Sequence, residues 1–170
     1  MDKNIVLFGF MGTGKTSVAK ALAKDLKMRF VEMDAVIEER EAMKISDIFA
    51  KKGEPYFRAL EKDLVKELAK EINMVISTGG GVVLDEDNIK EFKKNGMLFC
   101  LTAPPEIIYE RVKNEKHRPL LAVADPLSKI KELLAARRPF YEKIKKQIDT
   151  TNKTVEEITE EIKRMCYETD

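Results

Sequence analysis

The sequence predicts an α/β protein with a mostly parallel, five-stranded sheet that is covered by helices on both faces. Strand-like and helix-like segments alternate along the chain, which is the pattern that a parallel sheet requires. The strongest signal stands at the start, where a short apolar run leads into a glycine-rich turn and then an amphipathic helix. At 170 residues, the chain is expected to form one domain, 1–170, with a sizeable core.

The glycine-rich turn at residues 9–16 reads GFMGTGKT and fits the phosphate-binding loop pattern, Gly, four residues and Gly-Lys-Ser/Thr. Its glycines permit backbone angles that other residues avoid, so that N–H groups and a helix N-terminus can face an anion. Lys15 supplies a positive charge for the β- and γ-phosphates, and the Thr16 hydroxyl can bind Mg²⁺. The turn could instead only cap a helix, but the strand before it and the helix after it favour a nucleotide site.

The remaining elements follow from hydrophobic spacing and from turn and cap residues. Strands are predicted at 4–8, 29–34, 74–77, 97–101 and 148–151. Helices are predicted at 17–26, 35–42, 45–52, 54–72, 85–94, 104–113, 126–145 and 155–167. Ser46 is expected to cap the third of these helices, and Gly53 to end it.

The polar residues that follow the strands are predicted to meet at one edge of the sheet. Right-handed crossovers place a ligand site at the carboxyl ends of parallel strands. The phosphate loop, Asp34 at the end of the second strand, and the triplet Gly79–Gly81 each follow a strand. Arg58 and Glu61 stand three residues apart on one predicted helix, so they can pair.

Each of these features also has a structural explanation. Asp34 could cap the next helix, since aspartate is a favoured N-cap residue. Arg58 and Glu61 could form an exposed helix pair that contributes only a few tenths of a kcal/mol. The glycine triplet could be a flexible turn, although its entropic cost favours a close approach of the backbone to a ligand.

Composition narrows the class of protein. The net charge of +1 gives no global argument for binding nucleic acid or an anionic membrane. No apolar run approaches the roughly 18 residues that span a bilayer, and the start of the chain lacks the plan of a signal peptide. Cys100 and Cys166 lack metal-ligand spacing and are expected to be reduced thiols. These features predict a cytoplasmic protein that binds neither membrane nor nucleic acid. A monomer is expected, because no extra apolar helix face stands out in the sequence.

Taken together, the motifs resemble the shikimate kinase family, from Ile5 to about Ile158. The phosphate loop is common to many P-loop kinases, whereas the combination of the other stretches is specific. The matching stretches are GFMGTGKT at 9–16, DAVIEER at 34–40, ISDIFAKKGEPYFRALE at 45–61, ISTGGG at 76–81, RPLL at 118–121, RRPFY at 137–141 and DTT at 149–151.

The resemblance implies a nucleoside-monophosphate-kinase-like P-loop fold and transfer of the ATP γ-phosphate to the 3-hydroxyl of shikimate, in the chorismate pathway to aromatic amino acids. It implies a substrate-binding region at 33–61, with Phe49 and Phe57 against the ring, and a lid at 113–125. It also implies catalytic roles for Lys15, Asp34 as base, and Arg118 of the lid, with Mg²⁺ at Thr16. The implied ATP-binding residues are Gly12, Thr13, Gly14, Lys15, Thr16, Ser17, Arg111, Arg118 and Lys153. The implied shikimate-binding residues are Asp34, Arg58, Gly79, Gly80, Gly81 and Arg137, with Glu61 orienting Arg58.

The sequence departs from the family pattern at two places. The family usually has Asp-x-Asp at the end of the second strand, where this chain has Glu32-Met33-Asp34. The longer Glu32 leaves its part in the metal shell open. The adenine loop often carries an arginine, and here Lys153 is the loose match. Of the two adjacent arginines, the Arg-x-Pro-x-Tyr pattern selects Arg137 for the substrate and leaves Arg138 on the surface.

Two other functions compete with this reading. A kinase for another small acceptor, such as gluconate, would keep the phosphate loop but need not keep Arg58, the glycine triplet and Arg137 together. A nucleotide-dependent binding module without turnover is disfavoured, because a base, a metal-binding hydroxyl and a lid arginine all stand in the sequence.

Overall fold

A parallel β-sheet lies at the centre of the computed structural model, which describes residues 2–115 and 122–168. Its strands are β1 (Asn4–Gly9), β2 (Arg29–Glu32), β3 (Met74–Ser77), β4 (Gly96–Thr102) and β5 (Lys146–Asp149). All neighbours pair in parallel in the order β2-β3-β1-β4-β5, which confirms the predicted five-stranded parallel sheet. The first strand is therefore central, and the phosphate loop follows its carboxyl end.

Helices cover both faces of the sheet. They are α1 (Lys15–Leu26), α2 (Met33–Glu41), α3 (Ile45–Lys52), α4 (Glu54–Leu68), α5 (Glu86–Asn95), α6 (Pro105–Val112), α7 (Pro126–Tyr141) and α8 (Val155–Tyr167), with a short 3-10 turn at Val82–Leu84. A capping box begins α8, because Thr154 and Glu157 each accept a hydrogen bond from the other's backbone N–H.

The central strand divides the core into two layers. Every residue of β1 is buried, and successive side chains point to opposite faces. Ile5 and Leu7 pack under α1 and α8, whereas Val6 and Phe8 pack into a larger cluster with residues of α2 to α7. Burial on both faces explains why the strand reads as a continuous apolar run, and the arrangement confirms three layers.

Several predicted boundaries were wrong. The second strand ends at Glu32, where its pairing with Ser77 ends, so Asp34 lies in the first turn of α2 instead of at the end of the strand. The residue before α2 is Glu32, so Asp34 is not its N-cap. Ser46 lies inside α3, which begins after Lys44 without a side-chain cap. Gly53 ends α3 as predicted.

Side-chain contacts from other elements explain two helices that end early. Helix α4 ends at Leu68 instead of residue 72, and Ile72 is exposed. The Asn4 amide donates to the Glu71 carbonyl at 2.8 Å and accepts from the Met74 N–H at 3.0 Å, which directs this segment into β3. Similarly, α7 ends at Tyr141 instead of residue 145, and the Gln147 amide donates to the Tyr141 carbonyl at 2.9 Å. The fifth strand accordingly begins at residue 146, two residues earlier than predicted.

Candidate active site

The phosphate loop has the backbone geometry of an anion site. Gly9, Gly12 and Gly14 all have positive φ, and Gly14 forms the N-cap of α1 at φ 93°. A Cβ atom at Gly14 would meet nothing within 4 Å, so its backbone faces open space. The Lys15 ammonium donates to the carbonyls of Gly9 at 2.6 Å and Phe10 at 3.0 Å. The helix N-terminus and the ammonium therefore place positive charge at the same loop.

Arg111 joins the phosphate loop to the segment after β5. Its guanidinium donates to the Gly12 carbonyl at 3.1 Å, and to the hydroxyl and carbonyl of Thr150, both at 3.0 Å. A Cβ atom at Gly12 would lie 2.7 Å from Val112, so α6 packs directly on the loop. Arg111 and α6 thus support the phosphate loop from the side of the segment that follows β5.

Two oxygen groups face each other at the mouth of the loop. The Thr16 hydroxyl donates to a Glu32 carboxylate oxygen at 2.6 Å. Burial raises the pKa of Glu32, and the nearby Asp34 raises it further, while the hydrogen bond from Thr16 lowers it. These residues line a cleft of about 350 Å³ that also includes Lys15 and Gly79. The cleft therefore joins the phosphate loop to the residues after β2 and β3.

The glycine triplet makes room for charged side chains. A Cβ atom at Gly79 would lie 2.8 Å from an Asp34 carboxylate oxygen and 2.9 Å from a Glu61 carboxylate oxygen. A Cβ atom at Gly80 would lie 3.1 Å from the Arg137 guanidinium, and one at Gly81 would overlap the Arg58 guanidinium. None of the three has a positive φ. A side chain at any of the three would therefore press on a charged side chain, whereas the backbone angles would not oppose it.

Glu61 is a buried carboxylate, only 1% exposed, paired with Arg58 at 2.5 Å. Burial raises its pKa to about 7, although the charge of Arg58 opposes this shift. Asp34 raises the Glu61 pKa and Arg137 lowers it, so all four charges act on one another. The pair is therefore not the exposed helix pair that was the structural alternative. Glu54 contacts Arg58 from the surface at 3.3 Å.

Arg137 reaches the same place from α7. Its guanidinium lies 5.4 Å from the centre of the Phe10 ring, which is buried in the phosphate loop. The neighbouring Arg138 points outwards, with 76% of its side chain exposed, and pairs with Glu142. The two arginines therefore differ in surroundings as the sequence pattern predicted. Phe10 was not identified from the sequence, because its position in the loop gave no sign of a contact with α7.

Three further predicted residues have different outcomes. Arg118, with the rest of 116–121 in the proposed lid at 113–125, lies outside the described residues. Lys153 pairs with Glu161 at 2.7 Å and does not line the cleft, so its role at the adenine stays a prediction. Phe57 is buried against Phe49, with ring centres 4.9 Å apart. Tyr141 was missed, because a tyrosine at the end of a helix reads as part of the core.

The site combines a phosphate-binding loop, an acid next to it, and a separate pocket wall of arginines and glycine backbone. On a parallel α/β sheet, these features define a P-loop kinase that acts on a small acidic acceptor. The comparisons identify the family. The shikimate kinase family model matches residues 11–167, and the chain belongs to the shikimate kinase family.

Individual relatives agree over nearly the whole chain. A shikimate kinase of Thermodesulfovibrio yellowstonii is 52% identical over 160 residues, which cover 94% of this chain and 92% of that protein. The solved structure of shikimate kinase from Acinetobacter baumannii in complex with shikimate matches with a TM-score of 0.91 and 34% identity, over 96% of this chain and 92% of that one.

The family match also decides between the competing acceptors. A gluconokinase of Sinorhizobium meliloti matches with a TM-score of 0.59 and 18% identity, over 94% of this chain and 89% of that one. This likeness shows the shared fold alone.

The described part of the chain contains no helix with the length and apolar character needed to cross a bilayer.

The buried Glu61 predicts a specific pH dependence of stability. Because its pKa rises from 4.5 to about 7 on folding, the folded state binds more protons between these values. This group therefore makes the free energy of unfolding fall as pH rises through that window. Replacing Glu61 with glutamine should remove this fall. Between pH 5 and 8, the free energy of unfolding of Glu61→Gln, taken relative to that of the wild type, should therefore rise by an amount on the order of 2 kcal/mol.

Urea unfolding at several pH values measures this difference. Glu54→Gln is the matched control, since it removes the exposed carboxylate that also contacts Arg58. Parallel pH profiles for wild type and Glu61→Gln would contradict the assigned burial of charge.

Proposed function

We propose that this protein phosphorylates the 3-hydroxyl of shikimate with ATP and that the cleft described above is where the two substrates meet. The observation that carries the proposal is the convergence of the Arg58–Glu61 pair, Arg137 and the glycine triplet beside a phosphate loop. Each arginine can bind a carboxylate through two parallel N–H groups. Backbone groups of Gly79–Gly81 contact the ring substituents, and Phe49 and Phe57 lie against the ring.

Asp34 accepts the hydrogen bond of the attacking hydroxyl and takes its proton. Its support is position: it lines the cleft with Lys15 and lies beside Gly79 on the acceptor side. Phosphoryl transfer needs an oriented nucleophile and neutralised phosphate charge more than covalent chemistry. Lys15, the N-terminus of α1 and its residues Thr16 and Ser17 bind the phosphates, together with backbone groups of Gly12, Thr13 and Gly14.

Mg²⁺ fits the oxygen groups of this cleft. Thr16 and Glu32 place a hydroxyl and a carboxylate oxygen 2.6 Å apart, and Mg²⁺ prefers oxygen ligands while keeping several waters. When bound, the ion neutralises charge on the β- and γ-phosphates. The Thr16 hydroxyl would bind it, and Glu32, in place of the family's aspartate, would hold its shell.

The outer parts of the site complete the proposal. Arg111 lies at the adenine side, where it already contacts the phosphate loop and Thr150, and Lys153 stands on the same segment. Arg118 belongs to a lid at 113–125 that reaches the phosphates and excludes water. Water would otherwise compete with shikimate as the acceptor.

We also propose a cytoplasmic monomer that binds its two small substrates without membrane or nucleic acid. The near-balanced charge supports this, as do the free thiols of Cys100 and Cys166. The monomer is supported by the exposed large apolar side chains of the described residues, which stand in four separate segments of the chain. These side chains are Tyr56, Ile72, Val123 and Tyr167.

Coupled ADP release with Mg·ATP tests the reaction. We expect turnover that depends on shikimate, with little ADP release with gluconate, without an acceptor or without Mg²⁺. ADP release that is equal with and without shikimate would reject the proposed reaction.

Asp34→Asn should bind shikimate and ATP but lose turnover by roughly 10²–10⁴-fold, because the amide keeps the shape of the side chain but cannot take the proton. Steady-state kinetics and calorimetric binding separate the two effects. A variant with the wild-type kcat would exclude Asp34 as the base.

Arg137→Ala should raise KM for shikimate roughly 10–100-fold, as expected for loss of hydrogen bonds to a charged group, and should change KM for ATP much less. Arg138→Ala is the matched control, since the same charge is removed from the exposed neighbour. The reverse ranking of the two variants would show that the wrong arginine was assigned to the acceptor.

A further inference from the structure

Tyr141 connects α7 to the glycine triplet. Its ring is buried in the core, and its hydroxyl donates to the Gly80 carbonyl at 2.7 Å. It stands one helical turn after Arg137, so both side chains leave the same face of α7 and approach Gly80. Burial raises the pKa of Tyr141 to about 12, against the lowering effect of the nearby Arg137, so the hydroxyl keeps its proton at neutral pH.

The hydrogen bond fixes the direction of a backbone donor. A peptide unit is planar, and its C=O and N–H point in opposite directions. When Tyr141 holds the Gly80 carbonyl, the N–H of Gly81 is directed away from Tyr141. Within the described residues, the N–H groups of Gly80 and Gly81 donate no hydrogen bond. The N–H groups of Val82 and Leu84 bind the carbonyls of Gly79 and Gly81, so the peptide between Gly80 and Gly81 has only the Tyr141 hydroxyl on its carbonyl, and glycine backbone is otherwise the least restricted.

We propose that Tyr141 is a positioning residue for the acceptor: its hydroxyl fixes the Gly80–Gly81 peptide so that this peptide presents the Gly81 N–H to shikimate. This inference rests on the proposed function. It assigns a task to a residue that does not line the cleft, and it explains why a buried tyrosine, instead of phenylalanine, stands at this position.

Tyr141→Phe tests the proposal, because it keeps the ring in the core and removes only the hydroxyl. We expect KM and Kd for shikimate to rise roughly 3- to 10-fold, the effect of one lost hydrogen bond, with KM for ATP nearly unchanged. Hydrogen–deuterium exchange of a peptide over 77–84 should become faster. Unchanged shikimate binding and unchanged exchange would overturn the proposal.

Two controls separate positioning from loss of stability. Tyr109→Phe removes a hydroxyl from another tyrosine packed on the same core cluster, and Ile144→Val weakens that cluster close to Tyr141. Neither should raise KM for shikimate. If Ile144→Val lost as much thermal stability as Tyr141→Phe and raised KM for shikimate as much, Tyr141 would act through packing alone. That result would reject its positioning role.

A double variant separates the triplet from Arg137. In an Arg137→Ala background, Tyr141→Phe must still raise KM for shikimate, although by less than in the wild type. If Tyr141→Phe no longer raised KM there, the role given to the triplet would be overturned. Should Tyr141→Phe not fold, shikimate must still slow exchange of the 79–82 amides in the wild-type protein. Absence of that protection also overturns the proposal. Failure of the proposed function would give a different result, because the wild-type protein would then neither bind nor phosphorylate shikimate.

Discussion

The active site depends on the pairing of β1 with β3 and on its continuation past the last strand residue. Ser77 is the final residue of β3 in the ladder, opposite Leu7. The next residue, Thr78, uses both its N–H, at 3.1 Å, and its hydroxyl, at 2.9 Å, to bind the Leu7 carbonyl. The phosphate loop and the glycine triplet therefore leave the sheet side by side. A Cβ atom at Gly80 would lie 3.9 Å from the Gly9 carbonyl oxygen, so donor and acceptor sites share a wall.

Four charged side chains form the other wall, of which Glu61 is buried and the other three are half-buried. Asp34 and Glu61 carry the negative charges, and Arg58 and Arg137 carry the positive ones. Removing either arginine would leave the buried Glu61 with less compensation for its charge, which is costly. The charges come from three helices, α2, α4 and α7, which therefore meet at this edge of the sheet. The electrostatics of the site and the geometry of the fold are thus coupled.

Local patterns predicted the fold and the residues that meet at the strand ends. Alternating segments predicted the parallel sheet, and the phosphate-loop pattern predicted the nucleotide site. The misplaced helix ends at residues 68 and 141 have a common cause. Asn4 of β1 and Gln147 of β5 satisfy backbone groups there with their side chains, and local hydrophobic spacing carries no trace of such contacts. For the same reason, Phe10 and Tyr141 could not be assigned from the sequence.

The glycine triplet packs against charged side chains that stand far from it in the sequence. Three adjacent glycines suggested a backbone that approaches a ligand, yet each glycine first makes room for a charged group of the protein itself. Gly79 accommodates the carboxylates of Asp34 and Glu61, whereas the next two positions admit one arginine each. A side chain at any of them would displace a different charge, and so disturb a different part of the site. The triplet therefore forms a common packing surface for four charged side chains of the protein, those of Asp34, Glu61, Arg58 and Arg137.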